Sequence, residues 1–118
     1  MKQAKLTVEP KIGELLRRVE KELKNILGEK LRKVILFGSY SRGDCDGESD
    51  VDMIALVDEP QPDKKYEEKI LDIIVDLSIE FDVLVSLFLE NEKEYEKIKN
   101  VEPLLKNIEK EGIAIYAA

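Results

Sequence analysis

The sequence predicts an α/β (α+β) domain in which helices cover a small mixed β-sheet. Two observations carry that prediction. Apolar residues recur at steps of three and four over two long stretches, the mark of helices with one buried face. Between and after them lie short runs rich in branched apolar residues, too short for helices and suited to buried strands. The resulting order, helix, strand, turn, strand, helix, strand, helix, helix, strand, packs naturally as helices laid on one sheet. The 118 residues read as a single domain over 1–118, with no repeat, no low-complexity tract and no dividing linker.

Each element follows from its residues. Glu9 to Leu27 is an amphipathic helix with Ile12, Leu15, Leu16, Val19, Leu23, Ile26 and Leu27 on its apolar face and Gly28 in the C-cap position. Lys33 to Phe37 is a buried strand that stops at Gly38-Ser39. Ser39 to Ser49 is a turn, with a helical turn opening at Ser39, followed by a loop. Val51 to Val57 is the second strand, and Glu59 to Asp63 is a polar connection whose two prolines forbid regular pairing. Lys64 to Ser78 is a second amphipathic helix carrying Tyr66, Ile70, Ile73, Ile74 and Leu77. Ile79 to Leu89 reads as a third strand, alternating Ile79, Phe81, Val83, Val85 and Leu87. Asn91 to Asn100 and Pro103 to Glu111 are charged helices, and Pro103 suits the first turn of the second. Gly112 ends that helix before a last strand, Ile113 to Tyr116.

Composition narrows the chemistry. Apolar residues make up 43% and charged ones 38%, with a net charge of −7, so the chain folds and has no basic footprint for nucleic acid or anionic lipid. Nucleotide binding through metal ions stays open, because the ions bring the positive charge. There is no histidine, which removes His-based triads and His-ligated zinc. Cys45 is the only cysteine, which removes disulfide frameworks and fits a reducing compartment. No apolar run approaches a membrane span, and no signal peptide is readable behind Met1, so a cytoplasmic location is expected.

The informative segment runs from Phe37 to Asp52. Asp50 and Asp52, two apart at the start of an apolar strand, point to the same face about 6.5 Å apart along the chain. Two carboxylates so placed repel unless cations lie between them, and paired divalent metals about 3.5–4 Å apart suit that spacing. Oxygen ligands with retained waters favour Mg²⁺. Gly38, ending a strand without a Cβ, lets a phosphate approach the backbone. Ser39 offers a hydroxyl and N–H groups to an anion, and Arg42 is the nearest cation. The rival reading of Asp44-x-Asp46-Gly47 as an EF-hand loop fails, because Arg42 and Met53 would occupy positions that require carboxylates. Asp44, Asp46 and Glu48 then read as solvated surface, and Cys45 as incidental.

Gly38-Ser39, ten intervening residues, then Asp50-x-Asp52, with the pair Arg42-Gly43 between, resembles the nucleotidyltransferase signature of the DNA polymerase β superfamily. The length and the leading helix are similar to the minimal nucleotidyltransferases (MNT) that partner HEPN proteins in prokaryotic toxin–antitoxin pairs. The resemblance covers nearly the whole chain and implies a polymerase β-like fold, two Mg²⁺ ions and ATP as substrate. It also implies a third carboxylate on a later strand. Asp82 is the choice, as the lone acid within Phe81-Asp82-Val83-Leu84-Val85, over Asp76 in the preceding helix and Glu80 at the strand edge. By that resemblance Asp50, Asp52 and Asp82 are catalytic and hold the metals, while Gly38 and Ser39 grip the β,γ-phosphates with Arg42 alongside. The implied reaction moves AMP from ATP to a hydroxyl of a HEPN toxin, the chain acting as antitoxin. Two alternatives stay open: a non-catalytic antitoxin that masks its toxin, and a subunit of a small-molecule (antibiotic) nucleotidyltransferase working as an oligomer.

Overall fold

The computed structural model describes residues 9–42, 50–59 and 64–118. The loop residues 43–49, including Cys45 and the acids at 44, 46 and 48, lie outside the described residues, as do both prolines of the 60–63 connection.

The first helix, α1, spans Pro10–Leu27 with Pro10 at its first position, where a missing N–H costs nothing. Ile12, Leu15, Leu16, Val19, Leu23 and Leu27 are buried along one stripe. Gly28 closes the helix at φ +56°, its N–H donating to the Lys24 carbonyl. After one 3₁₀ turn come β1 (Leu31–Phe37), the short α2 (Ser39–Arg42) and β2 (Val51–Val57). Next are α3 (Lys64–Phe81), β3 (Val85–Asn91), α4 (Glu92–Ile98), α5 (Pro103–Glu111) and β4 (Ile113–Ala117).

The sheet order is β3-β2-β1-β4. β1 pairs antiparallel with both β2 and β4, whereas β2 and β3 run parallel across the α3 crossover. The expected mixed sheet is therefore present. Its two faces are separately covered. Val51, Met53, Ala55 and Val57 share one core with the stripes of α1 and α3, while Ile54 and Leu56 share the other with Tyr95 of α4 and with Leu105 and Ile108 of α5.

One element departs from expectation. Ile79 to Phe81 belong to α3, not to a strand, and β3 begins only at Val85. The helical stripe of Ile70, Ile74 and Leu77 continues to Phe81, which packs against the same core, while Ile79 faces solvent. The helix ends in a Schellman-type turn. The Asp82 N–H donates to the Ile79 carbonyl and the Val83 N–H to the Ser78 carbonyl, with Asp82 in the left-handed region at φ +51°. Asp82 is thus the residue that stops α3 rather than a member of the third strand.

Candidate active site

The site forms where β1 ends beside the start of β2. Phe37 and Asp52 are register partners, so Gly38 emerges from the sheet directly against the Asp52 carboxylate. A Cβ on Gly38 would stand 2.6 Å from Asp52 Oδ2, closer than non-bonded atoms tolerate, and the backbone there has φ +77°. Both facts require glycine: one for the conformation, one for the approach. Beyond it the chain turns sharply, the Ser41 N–H and Oγ–H both donating to the Gly38 carbonyl at 3.1 and 2.8 Å. Tyr40, buried in the α1–α3 core, anchors this turn. Ser39 and Arg42 are the first and last residues of α2.

Asp52 is half-buried and Asp50 exposed. Burial, and secondarily the charge of Asp50, hold the Asp52 carboxyl above the usual carboxylate range. The pleat places Asp50 and Asp52 on the face that also carries Ile54 and Leu56. This pair, with hard oxygens on one face and one charge already penalised by burial and repulsion, fits a divalent cation.

Register gives the neighbours of Asp52. On its β1 side is Phe37, and on its β3 side is Ser86. Ile54, the next residue on that face, pairs with Phe88, and the rings of Phe37 and Phe88 stack 6.2 Å apart across β2. Neither Ser86 nor Phe88 was legible as a site neighbour, because their register depends on where α3 stops.

The structure therefore brings together Gly38, Asp50 and Asp52, with α2 following at once. It does not gather Asp82 with them: among the described residues no three Asp, Glu, Cys or His side chains cluster as a metal site. Asp82 is exposed, in the turn before β3, and that turn is tied to β2 by the Val51 N–H donating to the Leu84 carbonyl at 2.9 Å.

With this geometry in view, the profile of the nucleotidyltransferase domain family matches residues 16–115. The chain belongs to that family. A Methanocaldococcus jannaschii protein named "Putative protein adenylyltransferase MJ0141" is 47% identical over 75 residues, 64% of this chain and 75% of that protein. Another from the same organism, named "Putative protein adenylyltransferase MJ0604", is 34% identical over 100 residues, 81% of this chain and 93% of that protein. Among solved structures, the tri-AMPylated Shewanella oneidensis HEPN toxin in complex with MNT antitoxin aligns over 90% of this chain and 72% of the matched chain, with a TM-score of 0.57 and 19% identity. A toxin–antitoxin structure with AMP-PNP aligns over 95% and 75%, with a TM-score of 0.56 and 23% identity. At those identities the structural matches establish a shared fold. This nucleotidyltransferase has the mixed sheet and helical cover of that fold, and among its described residues no helix is long and apolar enough to cross a membrane.

Proposed function

We propose that this nucleotidyltransferase moves AMP from ATP to a hydroxyl group on a protein partner, a HEPN-type toxin, and so acts as its antitoxin. The observation that carries the reading is the contact between Gly38 and Asp52, a Cβ-free strand end held against a carboxylate. That arrangement sets a polyphosphate beside a cation-binding acid. The names of the Methanocaldococcus relatives and the AMPylated toxin bound to an MNT neighbour support the protein acceptor. The AMP-PNP bound in another neighbour supports adenosine triphosphate as donor.

In this reaction the acceptor oxygen forms a bond to the α-phosphorus, the α–β bridging P–O bond breaks, and pyrophosphate leaves. The hydroxyl proton passes to a carboxylate of the site. Asp50 and Asp52 would hold two Mg²⁺ ions, with Asp82 as the third carboxylate. When bound, the ions supply charge neutralisation at the α-phosphate and the leaving group. Gly38 and Ser39 grip the β,γ-phosphates, and Arg42 offsets their charge. The support for Asp82 is its turn, tied to the start of β2 next to Asp50.

The test uses α-labelled ATP, Mg²⁺ and the protein encoded beside the chain, compared with the double variant Asp50→Asn, Asp52→Asn. Label appearing on the partner with the wild type and absent with the double variant is the expected result. Inhibition of the partner that survives the double substitution without label transfer refutes catalysis and leaves a masking antitoxin.

A further inference from the structure

Among the described residues, five of the seven exposed large apolar side chains lie on α3 and at the adjoining sheet edge, Val101 and Leu104 being the others. On α3, Leu71 is 62% exposed, Val75 48% and Ile79 75%, and their four-residue spacing sets them on one stripe pointing away from the core. On the adjoining sheet edge Leu84 is 60% exposed and Phe88 49%. Between helix and strand runs a groove of about 510 Å³, walled by Ile70, Leu71 and Ile74 on one side and by Val85, Leu87 and Phe88 on the other. β3 is an edge strand, paired among the described residues with β2 alone. An apolar stripe, an apolar groove and an open strand edge side by side form a contiguous patch of the kind that marks an interaction surface.

Charge selects the occupant. Glu67, Glu68, Asp72 and Asp76 are exposed on α3, as are Asp82 before β3 and Glu90 within it, and together they outnumber the exposed Lys64, Lys65 and Lys69 of the same helix. A second copy of this chain, docked through the same face about a two-fold axis, would bring together two faces that each carry an excess of carboxylates. A partner surface with apolar anchors ringed by Lys and Arg meets them with opposite charge. Ser86, which lines the groove, is the register partner of Asp52.

We infer that the α3–β3 groove is the docking surface for the acceptor protein, which enters it with apolar side chains surrounded by basic ones. This rests on the reading of transfer to a protein acceptor. It adds where that protein sits and what chemistry it presents. An acceptor seated there holds its hydroxyl on the β3 side of Asp52, opposite the Gly38–Ser39 end assigned to the departing pyrophosphate.

The experiment separates docking from chemistry. Binding of the protein encoded beside this chain is measured by calorimetry without ATP, for the wild type, for Leu71→Glu with Ile79→Glu, and for Glu67→Lys with Glu68→Lys. All four positions are exposed, so these variants keep the core and are expected to melt with the wild type. Each pair is expected to weaken binding at least tenfold, and wild-type binding is expected to weaken as salt is raised. Asp50→Asn with Asp52→Asn is expected to bind the partner normally yet transfer nothing, so loss of chemistry and loss of docking are read apart. Unchanged binding by both groove variants overturns the inference, as does absence of any binding. A dimer of the chain alone, seen by sedimentation and dissociated by Leu71→Glu with Ile79→Glu, also overturns it and assigns the groove to a second copy.

Discussion

Gly38 and Gly28 both hold positive φ, yet only one of them faces a carboxylate. Open space surrounds a Cβ at Gly28, whereas one at Gly38 meets Asp52 Oδ2. Gly28→Ala should therefore cost only the conformational penalty, about 1–2 kcal/mol, and keep its activity. Gly38→Ala should cost at least as much and lose transfer as well, because Asp52 must move. Urea unfolding and transfer assays on the two variants check this pair. Asp52 itself is a residue under strain of charge. Its carboxyl is held above the usual range by burial and then by Asp50, so ionisation at neutral pH opposes folding, and that cost fades as pH falls through the raised value. Asp52→Asn should accordingly melt higher than the wild type at pH 7 without metal. Added Mg²⁺ should raise the melting temperature of the wild type and leave that of the variant unmoved.

At the scale of elements, what was legible in the sequence followed from local pattern. The stripe of α1, the Gly28 stop, the apolar run of β2 and the Pro103 start of α5 all reappear in the structure. So does the strand end at Gly38, whereas its position against Asp52 is set by the β1–β2 register. The boundary of α3 was not legible, because Ile79, Phe81, Val83 and Val85 satisfy a two-residue alternation while Ile74, Leu77 and Phe81 satisfy a helical one. Tertiary packing of Phe81 on the α1–α3 core decides for the helix. With the boundary moved, Ser86 instead of an acid falls beside Asp52, a fact of register that no single segment carries. Asp82 then has two separable roles. Asn tolerates the left-handed backbone nearly as well as Asp, so Asp82→Asn should preserve the end of α3 and the melting temperature. As third carboxylate, its loss should lower transfer at least tenfold; full transfer by Asp82→Asn removes it from the site.

Across the whole molecule, one set of polar contacts joins α4 to α5. On the sheet face covered by α4 and α5, the Tyr95 hydroxyl donates to Glu109 Oε2 at 2.7 Å, and Lys99 bridges Glu109 at 3.2 Å. Burial pushes the Glu109 carboxyl up, but the Tyr95 hydroxyl and the Lys99 ammonium outweigh it and hold it below its ordinary value. A lowered folded pKa contributes stability that is present above the ordinary glutamate range and lost as pH falls through the lowered value. Tyr95→Phe should cost about 0.5–1.5 kcal/mol at pH 7. The difference from wild type should shrink on acidification to about pH 3, below the ordinary glutamate pKa, as urea unfolding at the two pH values will read. This pairing ties α4 to α5 over the sheet. In the proposed reaction the bond broken lies between the α- and β-phosphates of ATP. Parallel reactions with α-labelled and γ-labelled ATP, Mg²⁺ and the protein encoded beside the chain read this bond. Label is expected on the acceptor from the α-position only, with the γ-label recovered as pyrophosphate; γ-label on the acceptor, or inhibition of the acceptor with neither label attached, refutes transfer of AMP.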